Sequence, residues 1–186
     1  VGLDEPDDER LRAVIGPPLY QSYTEMYGLS HEQAEKAIAA YREDYAVLGY
    51  RQNRLYDGVI PMLKALREAD FFIALATSKP EGPTIDILRH FGIELFFDFV
   101  AAASMDHSRS EKDKVIAYAL EHAPGIPREQ MLMVGDRRYD LLGARTHGLD
   151  GAGVLYGYGS REELESCNPV FLAQSPRELT DFVLDS

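Results

Sequence analysis

Residues 131–148 read MLMVGDRRYDLLGARTHG and contain a short apolar run, a sharp turn and a helix in succession. The run Met131–Val134 has no polar residue, which is typical of a parallel strand that is covered on both faces. Gly135 permits the turn, Asp136 follows at the strand tip, and the next helix ends at Gly148. This stretch predicts one strand-turn-helix unit of an α/β sheet.

The same alternation of apolar runs and helices continues on both sides of this unit. We predict about five strands, in the runs Phe71–Ala76, Phe97–Ala101, Met131–Val134, Gly153–Tyr156 and Val170–Ala173. Strands that alternate with helices form parallel sheets. We therefore predict an α/β fold in which residues 57–186 form a core domain with a Rossmann-like parallel sheet.

Residues 1–56 have a different pattern and predict a small, all-helical domain of three helices. Asp7 and Asp8 can cap a first helix that ends near Ile15, and Ser30 to Gln33 forms a capping box for a longer helix. A second helix lies between these two, and three tyrosines share one of its faces: Tyr20, Tyr23 and Tyr27. Such a stripe is typical of packing between helices or of a dimer seam, and it could also line a ligand pocket.

Composition and charge exclude several classes of function. The chain has 186 residues and a net charge of −12, so a basic surface for a nucleic-acid backbone is not expected. No apolar run approaches the roughly 18 residues of a membrane span. The single cysteine, Cys167, excludes an intramolecular disulfide and fits a reducing cytoplasm, so we expect a soluble cytoplasmic protein. An anionic ligand would need a locally positive site or a metal ion.

Ligands of open parallel sheets bind beyond the carboxyl ends of the strands, which draws attention to Asp136 and Asp140. Asp140 lies one helical turn after Asp136 and faces the same side. Two carboxylates in this arrangement suit a hard cation such as Mg²⁺. The alternative is that Asp136 only caps the helix that follows it.

Two further segments carry residues that suit a phosphate group. Thr77 and Ser78 follow the first predicted strand, where hydroxyl and free N–H groups would hold an anion, although both could simply be helix caps. Lys112 lies in the first turn of a helix, where a cation is electrostatically misplaced unless it neutralises an anion. The alternative is that Lys112 pairs with its acidic neighbours Glu111 and Asp113 at the surface.

Taken together, these segments resemble the haloacid dehalogenase superfamily of phosphatases. ATSKP (76–80) looks like that family's second motif, the lysine of RSEK (109–112) its third, and VGDRRYD (134–140) its fourth. RLRAVIGPPL (10–19) and YDGVIPMLKAL (56–66) are similar to the helical cap, and to the return from cap to core, of the phosphoglycolate-phosphatase-like branch. GARTHGLDGAGVLYGYGSREEL (143–164) looks like the same branch after the fourth motif.

The resemblance implies a phosphatase mechanism and a role for each candidate residue. Thr77 and Ser78 would bind the phosphate, and Lys112 would offset the charge on it. Asp136 would bind Mg²⁺, and Asp140 would be a further ligand or would orient the site. Three neighbouring basic residues would add positive charge: Lys79, Arg137 and Arg138.

The family's nucleophile is an aspartate in an Asp-x-Asp motif at the tip of the first core strand, and this sequence contains no Asp-x-Asp. We therefore expect a first core strand, loop and helix of roughly 20 to 25 residues to precede Val1 in the protein. On this expectation the 186 residues alone are inactive.

The resemblance leaves the substrate and the reaction class open. A Mg²⁺-dependent phosphatase of a small phosphorylated metabolite is the leading hypothesis, with phosphoglycolate or a nucleotide monophosphate as substrate. A sugar-phosphate mutase shares the motifs. A non-catalytic phosphate-binding or regulatory protein is the alternative if the nucleophile is truly absent.

Overall fold

The structure is a computed structural model that describes residues 2, 7, 10–11, 14–104, 108–123 and 125–186. The described chain forms two compact units, Val1–Asn53 and Arg54–Ser186. The predicted first helix lies largely outside the described residues. Within them, no helix is both long enough and apolar enough to cross a bilayer.

The first unit is helical. Its elements are α1 (Leu19–Gln21), which continues as a π-helical turn (Ser22–Met26), then α2 (His31–Leu48) and a 3-10 turn (Gly49–Arg51). The predicted capping box at the start of α2 is confirmed, because Ser30 and Gln33 each accept a hydrogen bond from the other's backbone N–H. Ala34 and Ile38 of α2 are buried within this unit.

The tyrosine stripe of the first unit contacts other rings of the same unit. The Tyr20 hydroxyl lies 2.9 Å from His31 Nδ1, and the rings of Tyr23 and Tyr27 meet edge to face at 6.4 Å. These contacts are of the helix-packing kind. A role of the stripe in lining a ligand pocket stays a prediction.

The second unit alternates strands and helices. Its strands are β1 (Ala74–Pro80), β2 (Phe99–Ala103), β3 (Leu132–Gly135), β4 (Asp150–Val154) and β5 (Phe171–Ala173). Its helices are α3 (Val59–Glu68), α4 (Glu81–His90), α5 (Lys112–Glu121), α6 (Arg138–Thr146), α7 (Arg161–Glu165) and α8 (Pro176–Leu184), with 3-10 turns at Glu94–Phe96 and Arg128–Gln130.

All strand pairs among the described residues are parallel, which confirms the predicted fold class. They form one sheet with the order β1-β2 and another with the order β3-β4-β5. Ala76 pairs with Ala101 in the first sheet, and Val134 pairs with Ala152 in the second. The first core strand that we expect before Val1 lies outside this sequence and stays a prediction.

The first strand begins three residues later and ends four residues later than the sequence predicted, at Ala74–Pro80 instead of Phe71–Ala76. The reason is a contact from outside the run, since Asp98 Oδ2 accepts the Ile73 N–H at 2.8 Å and Asp98 N–H donates to the Ile73 carbonyl. Ile73 packs in the core beside Leu63, Leu88 and Ile93. The apolar run that begins at Phe71 therefore includes residues that pack in the core before the hydrogen-bonded strand begins.

Helices α5 and α6 lie against the sheets and pack closely on each other. Val115 and Ile116 of α5 are almost completely buried. A Cβ atom at Gly143 of α6 would lie 2.8 Å from Ile116 Cδ1, so the absent side chain allows the close approach. This packing brings the start of α5 next to the start of α6, where the candidate site lies.

Candidate active site

Thr77 and Ser78 lie within the last part of β1, and α4 begins directly after this strand. The strand ladder becomes irregular between Thr77 and Pro80, and Thr77 Oγ1 accepts the Lys79 N–H at 3.1 Å. The Ser78 hydroxyl oxygen is buried and has no hydrogen-bond partner among the described residues. A buried hydroxyl without a partner is costly, so the Ser78 hydroxyl has an unmet capacity for a hydrogen bond.

Lys112 is the first residue of α5, and its ammonium group joins two separate parts of the site. Lys112 Nζ donates to the Ala76 carbonyl at 3.0 Å, one residue before Thr77. It also lies 2.9 Å from Asp140 Oδ1, and the two side chains are only 15% and 9% exposed. Lys112 therefore does not pair with its sequence neighbours, whereas Lys114 does form the exposed pair with Glu111.

Asp140 lies in the first turn of α6, and both of its carboxylate oxygens are engaged. Oδ1 contacts Lys112, and Oδ2 accepts the Arg137 N–H at 3.1 Å. A Cβ atom at Gly135 would lie 2.1 Å from Asp140 Cβ, so only glycine fits at the end of β3. Asp140 thus caps the helix and contacts Lys112.

Asp136 is held by the segment that follows β4. Asp136 Oδ2 accepts the Tyr158 N–H at 2.8 Å, and the Asp136 carbonyl accepts the Gly159 N–H at 2.9 Å. A Cβ atom at Gly157 would lie 2.2 Å from Asp136 Cβ, so this segment approaches the aspartate as closely as a backbone can. Oδ1 of Asp136 accepts no hydrogen bond from the described residues and is available to a cation.

The residues present fit a magnesium ion through Asp136. Magnesium in phosphate-processing sites is commonly bound by one or two carboxylates together with water and substrate oxygens. The described residues contain no group of three or more His, Cys, Asp or Glu side chains that could hold a metal by themselves. Asp136 Oδ1 offers one ligand, whereas the oxygens of Asp140 are already used in hydrogen bonds.

Sequence reasoning missed the ion pair between Arg137 and Glu163. Arg137 Nε and the Arg138 N–H both donate to Glu163 Oε1 at 2.9 Å, and the Arg137 and Glu163 side chains are 12% and 22% exposed. Burial favours the neutral form of Glu163, but these hydrogen bonds outweigh it and hold the pKa of Glu163 below its usual value. Arg137, which we expected to add positive charge, pairs that charge with Glu163.

Three tyrosines lie near Asp136: Tyr56, Tyr156 and Tyr158. The rings of Tyr56 and Tyr156 meet edge to face at 5.3 Å. Burial, and then the charge of Asp136, raise the pKa of Tyr156 to about 12. Tyr56 and Tyr158 are about half exposed. The sequence contained no signal for this aromatic cluster.

Comparison with known proteins identifies the family to which this chain belongs. The family model described as haloacid dehalogenase-like hydrolase matches residues 1–154. Among solved structures, the crystal structure of a predicted phosphatase from Clostridium acetobutylicum superposes with a TM-score of 0.93 at 36% identity. The match covers 99% of this chain and 85% of that chain.

Three curated relatives match most of the chain. A protein named tyrosine-protein kinase PtkA from Mycobacterium tuberculosis is 43% identical over 165 residues, or 89% of this chain. A 5'-nucleotidase from Pseudomonas aeruginosa is 39% identical over 169 residues, or 91% of this chain. A phosphoglycolate phosphatase from Vibrio vulnificus is 34% identical over 173 residues, or 93% of this chain. The chain spans 56% of the length of the kinase and about three quarters of the other two.

Proposed function

Because the chain belongs to the haloacid dehalogenase-like hydrolase family, we propose that the full-length protein is a Mg²⁺-dependent phosphatase of small phosphate monoesters. Relatives named 5'-nucleotidase and phosphoglycolate phosphatase support this class of reaction. The lone thiol of Cys167, which is buried, is in keeping with the cytoplasmic location that we also propose.

The observation that carries the proposal is the position of the Lys112 ammonium group. It is held between the Ala76 carbonyl at 3.0 Å and Asp140 Oδ1 at 2.9 Å, so it lies beside Thr77 and the start of α6 at once. A largely buried cation stabilises negative charge that develops during phosphoryl transfer. A lysine that served only solubility would extend into water, as Lys114 does.

The proposed roles follow from the contacts of each residue. The hydroxyl groups of Thr77 and Ser78 bind phosphate oxygens, and Lys112 offsets their charge. Asp136 Oδ1 holds the metal ion, and Asp140 keeps Lys112 in place. When bound there, Mg²⁺ supplies positive charge that stabilises the transferring phosphoryl group.

The proposed reaction uses the aspartate nucleophile that the family resemblance implies, and the proposal takes it from outside these 186 residues. Its carboxylate oxygen forms a bond to phosphorus while the bond from phosphorus to the ester oxygen breaks, and the leaving oxygen takes a proton from a general acid. Water then attacks phosphorus, releases phosphate and regenerates the carboxylate. Neither the nucleophile nor the general acid is assigned to a residue of this sequence.

A second candidate function is transfer of the phosphoryl group to a hydroxyl acceptor instead of water. The observation in its favour is the 43% identity to a protein named a tyrosine kinase. A sugar-phosphate mutase is another member of this transfer class. A non-catalytic phosphate-binding protein is the remaining alternative and would bind phosphate esters without turnover.

The test is phosphate release by the full-length protein with and without Mg²⁺. The panel contains phosphoglycolate, nucleoside 5'-monophosphates, a sugar phosphate and a phosphotyrosine peptide. We expect Mg²⁺-dependent release that falls at least about 100-fold in Asp136→Asn, because a metal ligand is lost. Asp86→Asn, an exposed carboxylate of α4, is the matched control and should keep wild-type activity.

The possible outcomes separate the hypotheses. Unchanged turnover in Asp136→Asn would contradict the metal assignment. Recovery of the phosphoryl group on an added hydroxyl acceptor, instead of as free phosphate, would favour the transfer reaction. Binding of esters with no turnover in the wild-type protein would favour the non-catalytic alternative.

A further inference from the structure

Four charged residues of alternating sign run from the start of α5 to the start of α7. Lys112 contacts Asp140 through its ammonium group, and Asp140 Oδ2 accepts the backbone N–H of Arg137. The Arg137 guanidinium in turn contacts Glu163 at 2.9 Å. Each of the four side chains is no more than 22% exposed. We call these four residues the charge chain.

Glu163 forms the outer end of the charge chain and is itself firmly held. It lies in the first turn of α7, where its backbone N–H donates to the Ser160 hydroxyl at 3.1 Å. Ser160 and Glu163 have the spacing of a capping box, in which the glutamate side chain would return to the Ser160 N–H. The Glu163 side chain instead contacts Arg137 and Arg138, which directly follow Asp136.

The contacts of Glu163 fix one side of Asp136, and the segment after β4 fixes the other. The Arg137 and Arg138 amides belong to the start of α6, where backbone N–H groups have no partner within the helix. Asp140 satisfies the first of these amides and Glu163 the second. On the opposite side, Tyr158 and Gly159 bind the carboxylate and the carbonyl of Asp136.

We propose that Glu163 is a positioning residue for the metal ligand Asp136. By binding the Arg137 side chain and the Arg138 amide with one oxygen, Glu163 holds the turn from β3 into α6 and so keeps Asp136 Oδ1 in the position from which it would bind a metal ion. This inference rests on the proposed function only in taking Asp136 as the metal ligand. Residues that orient a metal ligand from outside its coordination sphere commonly contribute 10-fold to 100-fold in metal affinity.

The direct test is metal binding by the full-length protein without substrate. Mn²⁺ replaces Mg²⁺ as the probe, and the free ion is counted by electron paramagnetic resonance. The variants are Glu163→Ala, which removes the acceptor, and Glu163→Gln, whose amide oxygen can still accept both hydrogen bonds. The matched control is Glu165→Ala, which lies on the same helix and forms an exposed pair with Arg161 at 3.3 Å.

We expect the Kd for Mn²⁺ to rise about 10-fold or more in Glu163→Ala and by a smaller factor in Glu163→Gln. Glu165→Ala should bind Mn²⁺ as the wild type does. Amide hydrogen exchange adds a local readout, in which the Arg138 amide should exchange faster in Glu163→Ala than in Glu163→Gln. If Glu163 only stabilised the fold, its variants would have a lower unfolding temperature, but their Kd for Mn²⁺ would not increase from the wild type to Glu163→Gln to Glu163→Ala.

The inference is overturned if both Glu163 variants bind Mn²⁺ with the wild-type Kd, or if Glu165→Ala weakens binding as much as they do. If Glu163→Ala does not fold, Glu163→Gln decides alone, and a Kd equal to that of the wild type overturns the inference. Failure of the proposed function is a separate result. It would appear as a wild-type protein that binds Mn²⁺ in a Glu163-dependent way but hydrolyses no ester.

Discussion

Replacement of Lys112 by methionine tests the central contact of the candidate site. Methionine has a similar length and removes only the charge and its hydrogen bonds. Asp140, which is 6% exposed, then keeps its negative charge in a buried position without the cation that lies 2.9 Å away. The variant should therefore lose stability as well as phosphate affinity.

The size of the effect follows from burial. Removing one partner of a buried ion pair costs about 3–5 kcal/mol, because the other charge is left uncompensated. Each kcal/mol moves the Tm of a chain of this size by roughly 2–4 °C, so we expect the Tm to fall by about 10 °C. In Lys112→Met/Asp140→Asn neither partner of the pair carries a charge, so no unpaired charge is left by the substitution, and we expect most of this loss to be recovered.

The assay is thermal unfolding followed by circular dichroism, together with urea unfolding at a fixed pH. Lys114→Met is the matched control, since Lys114 lies two residues away on the same helix. Its pair with Glu111 is exposed at both side chains, and such a pair contributes about 0–1 kcal/mol. The control should shift the Tm by only a few degrees.

Two results would refute this reasoning. One is an equal loss of stability in Lys112→Met and Lys114→Met, which would mean that burial of the pair does not matter. The other is a double variant that is less stable than Lys112→Met, which would mean that Asp140 does not depend on the lysine charge.

Two further predictions concern other contacts of the second unit. Gly157→Ala places a Cβ atom 2.2 Å from Asp136 Cβ, so the aspartate must shift by about 1 Å. We expect this shift to lower kcat/KM by roughly 100-fold. The control is Gly82→Ala, where a Cβ atom meets nothing within 4 Å and kcat/KM should stay unchanged. The Ile73 N–H holds the pKa of Asp98 below its usual value, so Asp98 contributes stability above the ordinary carboxyl pKa and loses it as the pH falls through the lowered value. Urea midpoints between about pH 6 and pH 3 should therefore decline less steeply in Asp98→Asn, and equal slopes would contradict this assignment.

Local patterns in the sequence predicted the features that depend on near neighbours. Ser30 accepts the backbone N–H that its spacing predicts, and Ser160 and Ser175 cap α7 and α8 in the same way. The order of strands and helices was also predictable, because burial on both faces leaves a continuous apolar run. The start of β1 was not, since it depends on Asp98, a residue 25 positions from Ile73.

In the candidate site, too, features that depend on local sequence were predictable and contacts between distant residues were not. Residue types and their places after strands or at a helix start identified Thr77, Asp136 and Lys112 as candidates. The partners of these residues could not be read in the same way, because Lys112 contacts Asp140 across 28 positions and Arg137 contacts Glu163 across 26. The local pattern instead suggested that Lys112 would pair with its neighbours.

The charge chain has a further consequence for how an anionic ester approaches the site. Its two positive and two negative charges balance, so together they produce little field beyond the Debye length of about 8 Å at physiological ionic strength. At long range a phosphate ester therefore meets the net charge of −12, which repels it. Attraction by Lys112 therefore acts only at short range, and among the described residues fit within the site contributes more to ligand selection than electrostatic steering does.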